Sequence, residues 1–236
     1  MTYTDKVPDL SFARLVRSRA RGIALRDEGR AVGVLGLSDG SFFPADTIVR
    51  FDLVAGEDPG RRMSDALSST GARAVWFYGG DDVARRGSAD LTLQIVPSGA
   101  VFVRRMNPHV PRPDDLTLRP AGPRDRMTLS EVQAEHAPGF LAPETLFAQV
   151  GTEIVGVAMS EALDAEWTEV RVVVYPAYRG RGIGTGIFNA ISDRLEAAGR
   201  LVCAAIDTVE GRGRTALERS GFRLADYYFT ARRGAR

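Results

Sequence analysis

Apolar positions are clearest in the second half of the chain, where they follow two different periods. Residues 166–176 (EWTEVRVVVYP) contain three consecutive valines, and a continuous apolar run of this kind is typical of a strand buried on both faces. Further on, Ile187, Ile191 and Leu195 recur at i, i+4 and i+8, which predicts a helix with one apolar stripe that ends before Gly199. A buried strand is therefore followed directly by a helix.

The neighbouring segments extend this pattern into a mixed sheet. Apolar runs and turn residues predict strands at 116–122, 201–209 and 222–233, two strands joined by Gly151-Thr152 within 145–161, and helices at 126–136 and 214–222. Hairpin strands come first, and alternating strands and helices follow. This order indicates an α+β fold, an α/β sandwich in which helices flank one mixed sheet.

The first half repeats this plan more faintly. Residues 24–37 resemble residues 146–160, because both contain a strand, a tight turn and a V-G-V step. Segments at 47–54, 61–71 and 73–80 then parallel the later strand, helix and strand. We therefore predict an internal repeat and two similar halves.

A proline-rich segment separates the halves. Three prolines within residues 107–116 remove backbone donors and favour extended conformations in the residues before them. Neither a helix nor a central strand is compatible with this spacing, so we predict a linker there. The expected domains are residues 1–106 and residues 117–236.

Composition narrows the class of protein. The 236 residues include 31 basic and 30 acidic side chains, a net charge of +1, which argues against a dedicated nucleic-acid binder. Cys203 is the only cysteine, which excludes an internal disulfide and a cysteine-based zinc site, and we expect no metal.

No signal peptide and no apolar segment of about 20 residues is present, so we expect a cytoplasmic protein that does not cross a membrane. Lys6 is the only lysine, a bias that fits a GC-rich bacterial genome.

A glycine-rich loop lies between the predicted strand and helix, in the stretch YPAYRGRGIGTG at residues 175–186. Counted from Gly180, dinucleotide-binding and ATP-binding loops both require glycine where Thr185 stands, and the second also requires a lysine. What remains is a turn whose backbone N–H groups point outward at the start of a helix, where the helix dipole adds partial positive charge. The loop therefore predicts a site for a pyrophosphate.

The same residues resemble the acetyl-CoA motif of the GNAT superfamily of N-acetyltransferases, whose core loop reads [QR]-x-x-G-x-[GA]. Arg179 matches its first position, Gly182 its fourth and Gly184 its last. The similarity extends over about residues 116–233 and includes the A-L-x-x-x-G-F pattern that ends at Phe222.

The resemblance implies how an acyl donor would bind. The strand before the loop would part from its neighbour and pair through its main chain with the pantetheine arm, while N–H groups of the loop hold the pyrophosphate. The thioester would lie between the strands at 166–175 and 201–209. The residues implied in binding acetyl-CoA, or another acyl-CoA, as co-substrate are Val172, Val173, Val174, Arg179, Gly180, Arg181, Gly182, Ile183, Gly184 and Thr185.

The match is weaker where the family places its catalytic acid. Many members carry a tyrosine five residues before the phenylalanine of G-F, and Leu217 occupies that position here. Tyr227 and Tyr228 come next, in a position similar to the Tyr-Tyr of bacterial protein N-terminal acetyltransferases. Either could donate a proton to the leaving thiolate or simply pack on a terminal strand, and Tyr228 is the candidate acid that we retain.

Two carboxylates are candidates for the base that takes a proton from the substrate ammonium. Alternation along the strand at 201–209 puts Asp207 on one face with Cys203, near the carboxyl end of the strand. Many family members carry a glutamate near the start of the strand before the loop, and the closest counterpart here is Thr168, with Glu169 beside it. Each could instead be a solvated or capping carboxylate. His136 is a further candidate for contact with the substrate.

The resemblance implies an N-acyltransferase that transfers acetyl from acetyl-CoA to a primary amine by direct attack. The acceptor would be a small-molecule amine or a peptide N-terminus. Because the usual tyrosine is absent, a second interpretation stays open: a catalytically silent module that binds acyl-CoA as a sensor or scaffold.

The first half would be a degenerate copy. Its equivalent loop, VAGEDPGRRM at residues 54–63, lacks alternating glycines and carries Glu57 and Asp58, which would repel a pyrophosphate. We therefore expect one donor site per chain, as in tandem members of the family. The second half also lacks a strand that most relatives have after G-F, and the first half or a second subunit, as in a homodimer, would supply it.

Overall fold

The computed structural model describes residues 20–40, 44–105, 113, 115–121, 144–206 and 211–234. The helix expected at 126–136 and most of the expected linker at 107–116 lie outside these residues. No helix among the described residues is long and apolar enough to span a membrane.

The described residues form two compact units. The first unit joins residues 20–100 to residues 226–234, and the second unit lies within residues 101–225. This division differs from the expected domains, because the boundary falls inside a strand and the last residues of the chain belong with the first half.

The first unit begins as an antiparallel meander and continues through a parallel crossover. Its elements are β1 (Arg21–Asp27), β2 (Arg30–Leu37), β3 (Thr47–Leu53), α1 (Pro59–Thr70), β4 (Ala74–Tyr78), α2 (Asp82–Asp90) and the part of β5 (Gln94–Arg104) that precedes residue 101. β3 and β4 are parallel, whereas β1–β2 and β2–β3 are antiparallel. Helix α1 begins at the cap Asp58 and ends at the left-handed Gly71, and it buries Met63, Ala66 and Leu67 against the sheet.

The second unit has the same organisation. Its elements are β6 (Leu116–Pro120), β7 (Glu144–Val150), β8 (Glu153–Ala162), β9 (Trp167–Val174), α3 (Ile183–Ala197), β10 (Leu201–Ile206), α4 (Gly211–Arg219) and the start of β11 (Phe222–Arg232). β6 to β9 pair antiparallel, and β9 pairs in parallel with β10. The strands predicted from apolar runs are therefore present.

Corresponding irregularities show that the two units repeat one design. Gly33 pairs with Leu25 next to a bulge at Val32 in β2, and Gly156 pairs with Ala148 next to a bulge at Val155 in β8. A Cβ at either glycine would overlap a backbone carbonyl of the next strand. The V-G-V step that suggested the repeat is thus a point of close backbone approach in both units.

Each unit takes its last strand from the other half of the chain. In the second unit, Val101–Arg104 of β5 lies between β10 and β11 in the strand order. In the first unit, the end of β11 pairs antiparallel with β4, from Arg232 opposite Ala74 to Tyr228 opposite Tyr78. The strand that the second half lacks is therefore supplied by the first half.

The side chain of Arg104 connects β5 to the second unit. This side chain is fully buried, and it forms ion pairs with Asp193 (Nη2 to Oδ1, 2.7 Å) and Glu196 (Nε to Oε1, 3.6 Å) of α3. Burial raises the pKa of Glu196 above its ordinary value, and Arg104 opposes that change. A buried guanidinium is tolerated when carboxylates pair with it, so this contact fixes β5 to α3.

Candidate functional site

Gly180 and Gly182 shape the loop between β9 and α3. Gly180 has φ +80° and Gly182 has φ +77°, left-handed values that favour glycine. A Cβ at either position would meet nothing within 4 Å, so the backbone conformation, and not a lack of space, requires glycine here. A short 3-10 turn at Pro176–Tyr178 precedes them.

The first turn of α3 leaves backbone donors unused. Gly182 is the N-cap without a side chain, and the first intrahelical bond joins Gly186 N to Gly182 O at 3.0 Å. The N–H groups of Ile183, Gly184 and Thr185 have no acceptor within the helix. Together with the helix dipole and the left-handed step at Gly182, these groups form a nest suited to an anion.

Gly184 and Gly186 differ from the glycines before them. A Cβ at Gly184 would lie 3.4 Å from Val174 Cγ2, and one at Gly186 would lie 2.8 Å from Leu116 Cδ2. Helix α3 therefore packs close to the end of β9 and to β6. The alternating glycines therefore have separate causes: Gly180 and Gly182 adopt the left-handed turn, and Gly186 allows close packing, whereas a Cβ at Gly184 would make an ordinary contact.

Two exposed arginines flank the nest. Arg179 Nε donates to the backbone oxygen of Val174 at 3.0 Å, and the guanidinium of Arg181 lies 5.9 Å from the ring centroid of Tyr178. The Tyr178 hydroxyl donates to Glu153 Oε2 at 2.9 Å, and this bond raises the pKa of the phenol above its ordinary value. Among the described residues, neither guanidinium takes part in an ion pair. Both charges remain available to an anion.

Strands β9 and β10 run in parallel for a short distance and then part. Their pairing begins with Leu201 opposite Trp167 and ends with Cys203 opposite Glu169. β9 continues to Val174, but beyond Glu169 its only partner among the described strands is β8. A gap therefore opens between the two strands.

Backbone alternation shows which groups of β9 face this gap. Tyr175 N donates to Val155 O at 3.0 Å, so odd-numbered residues direct their N–H and C=O groups toward β8. Leu201 N donates to Glu166 O at 2.8 Å, so even-numbered residues face β10. Beyond the last β9–β10 pair, the even-numbered residues turn both backbone groups into the gap.

Val172 and Val174 are the two of these residues that lie nearest the loop. Their backbone edge is of the kind that an extended ligand can pair with as an added strand. Val173 points its side chain into a core cluster with Phe147, Val157 and Met159. Main chain and side chains of this strand therefore serve different purposes. The edge runs directly from the gap to the nest at the start of α3.

Comparison with known proteins assigns this geometry to a family. The model of the acetyltransferase (GNAT) family matches residues 113–219, the segment that contains β9, the nest and β10. We call residues 113–219, which match this family model and make up less than half of the chain, the GNAT domain. No curated protein matches the chain.

Solved structures resemble the chain over most of its length. An acetyltransferase of the GNAT family from Colwellia psychrerythraea has a TM-score of 0.72 at 10% identity, covering 92% of this chain and 87% of that chain. A GCN5-related N-acetyltransferase from Kribbella flavida has 0.56 at 15% identity, covering 95% and 94%. A tandem GNAT protein from the clavulanic acid biosynthesis pathway has 0.57 at 15% identity, covering 91% and 83%. These likenesses confirm the predicted α+β fold.

In the GNAT domain, Glu169 lies at the closed end of the gap with its side chain 2% exposed. Arg171 Nε lies 3.5 Å from Glu169 Oε1, and Arg171 Nη2 lies 3.1 Å from Glu161 Oε2. The arginine balances the charge of a carboxylate that has little access to water. Sequence reasoning did not single out Arg171. Its place two residues after Glu169, on the same strand face, is the signal that could have found it.

Of the other candidate catalytic residues, only Tyr228 lies among the described residues. Asp207 and His136 lie outside the described residues. Tyr228 belongs to the first unit, where its ring is 6% exposed and stacks on Trp76 with centroids 4.9 Å apart. Leu217 is fully buried in α4, so the position of the usual tyrosine is a core position here.

The corresponding helix of the first unit begins among its own carboxylates. Asp58 caps α1 by accepting from Arg61 N at 2.9 Å. Glu57 Oε2 lies 2.8 Å from Arg62 Nη2, and Arg62 also pairs with Asp27. Side chains of the unit therefore occupy the start of α1, the position where the GNAT domain has its nest. This arrangement supports the prediction of one donor site per chain.

Proposed function

We propose that the protein is an acyl-CoA-dependent N-acyltransferase that transfers acetyl from acetyl-CoA to a primary amine by direct attack. One observation carries this proposal: β9 and β10 part after Glu169 and leave a backbone edge that pairs with no strand among the described residues and leads to the glycine nest.

The donor would use main-chain groups almost throughout. The pyrophosphate would accept hydrogen bonds from N–H groups of residues 180–185, helped by the charges of Arg179 and Arg181. Amides of the pantetheine arm would pair with the edge at Val172 and Val174, as a strand does. The thioester would then lie in the gap between β9 and β10.

The chemistry requires two protons to leave the acceptor nitrogen: one is lost from the ammonium before attack, and the second passes from the nitrogen of the tetrahedral intermediate to the leaving thiolate, directly or through water. The free amine nitrogen attacks the thioester carbonyl, an N–C bond forms, and collapse of the tetrahedral intermediate breaks the C–S bond and releases the CoA thiolate. Glu169, at the closed end of the gap, would take the ammonium proton directly or through a water, and Asp207 is the alternative base. The acceptor would be a small-molecule amine or a peptide N-terminus.

A second function is favoured by one specific observation. Leu217 is fully buried where many family members have their tyrosine acid, so no hydroxyl is available there to protonate the thiolate. A domain with an intact donor site and no acid could bind acyl-CoA as a sensor or scaffold without turnover.

Two measurements on the full chain separate these functions. Calorimetry with CoA tests the donor site, and release of free thiol from acetyl-CoA tests turnover with alkylamines, polyamines, amino sugars and peptides with free N-termini. Binding together with amine-dependent thiol release supports the transferase. Binding without release on every class of amine supports the sensor, and no binding of CoA contradicts both.

A further inference from the structure

The side chain of Arg179 closes the end of the strand edge described above. Its Nε–H donates to the Val174 carbonyl at 3.0 Å, five residues back along the chain. The rest of the guanidinium is exposed and is not part of an ion pair among the described residues. The arginine therefore commits one of its five donors to the protein and leaves its charge unbalanced.

The position of this carbonyl makes the contact important. Val174 is even-numbered, so its C=O faces the gap between β9 and β10 and not the ladder with β8. An N–H that reaches this oxygen competes for it with the amide of an added strand. Arg179 thus supplies from within the chain the hydrogen bond that an extended ligand would bring.

We propose that Arg179 is a gate that selects donors carrying phosphate. This inference rests on the proposed function, because it assumes that the donor lies along β9 with its pyrophosphate in the nest. A pantetheine amide that pairs with Val174 as a strand does would compete with Arg179 for this oxygen and displace it in the bound state. Since Gly180 follows directly, the released guanidinium remains next to the nest, where a pyrophosphate offers it a bidentate partner.

A donor without phosphates offers no such exchange. It must break a charge-assisted hydrogen bond and leave the guanidinium with water alone. The strength typical of such bonds corresponds to roughly a ten- to hundredfold loss of affinity. Arg179 would therefore penalise acyl-pantetheine and favour acyl-CoA, over and above the phosphate contacts themselves.

The substitution Arg179→Met tests the gate, because it removes the hydrogen bond and the charge but keeps the aliphatic stem. We expect kcat/KM for acetyl-CoA to fall about tenfold and kcat/KM for acetyl-pantetheine to rise about tenfold. Arg181→Met is the matched control, since its guanidinium contacts the Tyr178 ring and not Val174. Arg181→Met should lower kcat/KM for acetyl-CoA and should not raise kcat/KM for acetyl-pantetheine.

Calorimetry with CoA and with pantetheine gives the same comparison without turnover, and thermal unfolding shows whether each variant is folded. If pantetheine binds no better to folded Arg179→Met than to the parent protein, Arg179 is not a gate. An equal gain in Arg181→Met would also overturn the proposal. Failure of the parent protein to bind CoA would instead contradict the proposed function.

Discussion

Cys203 on β10 and Glu169 on β9 form the last pair before their strands part. Residues paired in a parallel ladder share a face of the sheet, so the thiol and the carboxylate are neighbours at the closed end of the gap. Both side chains are almost completely buried. Burial holds the Glu169 carboxylate in a fixed position, while the donor is proposed to bind through other groups. Substitution of Glu169 should therefore change the rate of the reaction without changing donor binding.

Glu169→Gln keeps the shape of the side chain and removes the base. We expect kcat to fall about 100- to 10,000-fold while KM for acetyl-CoA changes less than about threefold, because the donor uses other groups. Steady-state kinetics with a reactive amine provides the measurement. Glu161→Gln, which removes the more exposed partner of Arg171, is the control and should retain most activity. Equal losses of kcat in Glu169→Gln and Glu161→Gln would contradict a base at Glu169, because they would show that only the negative charge on this face of the sheet matters.

Gly182→Ala should weaken donor binding without unfolding the protein. An alanine at φ +77° strains the backbone by about 1–2 kcal/mol and displaces the N–H groups of the nest. Gly199→Ala introduces a matched strain, since Gly199 has φ +80° and also has open space around it. We expect similar losses of stability by thermal unfolding, and a loss of CoA affinity of about tenfold or more in Gly182→Ala alone. A comparable loss of CoA affinity in Gly182→Ala and Gly199→Ala would contradict the assignment of the nest as the site that binds the donor.

Tyr228→Phe distinguishes packing from proton donation. Phenylalanine preserves the stack on Trp76 and removes the hydroxyl, so we expect kcat within about threefold of the parent protein and a small change in stability. Tyr228→Ala should destabilise the fold by about 3–5 kcal/mol, because it empties a buried aromatic position. Kinetics and urea unfolding measure the two effects. A loss of 100-fold or more in folded Tyr228→Phe would restore Tyr228 as the acid.

Calorimetry should find one CoA bound per chain. In the first unit Asp58 caps the helix that corresponds to α3, and its carboxylate takes the place of a bound anion. Asp58→Ala should lower stability by about 1 kcal/mol through loss of the cap, and the stoichiometry should stay at one because the alternating glycines are still missing. A second equivalent of CoA in either protein would show that the first unit also holds a donor.

Burial raises the pKa of the Cys203 thiol well above its ordinary value, and the nearby charge of Glu169 adds to this effect. At pH 8 the folded protein should therefore react with a disulfide reagent at least about 100-fold more slowly than the urea-unfolded chain. Because the folded pKa is the higher one, the stabilisation due to the neutral thiol is complete below the ordinary thiol pKa. It is lost as pH rises toward the folded value. Rapid stoichiometric labelling of the folded protein at pH 8 would contradict this assignment.

The elements that could be predicted from sequence are those whose pattern reflects burial. The three valines of β9 and the stripe at Ile187 and Ile191 follow directly from contact with the core. Helix α2 and strand β5 were not predicted. β5 contains Pro97-Ser98-Gly99, which are turn residues in most settings, and its pairing depends on strands far away in sequence.

The candidate site divides in the same way. The nest was predictable because its geometry depends on glycine, whose conformational range is local. The hydrogen bond from Arg179 to Val174 and the ion pair of Arg171 with Glu169 depend on rotamers and strand register, which the sequence does not display. Tyr228 has the right chemistry for an acid, but its ring is stacked on a distant residue, Trp76. Residue type indicated what these side chains can do, and packing determined what they contact.

The exchange of last strands has a consequence for how this chain can be divided. Residues 113–219 carry the family signature, yet a gene fragment limited to them would lack Val101–Arg104 and with it the guanidinium that binds Asp193. The first half in turn relies on the end of β11 beside β4. Each half of the chain therefore completes the sheet of the other half, so a fragment limited to either half would lack a strand that its unit uses.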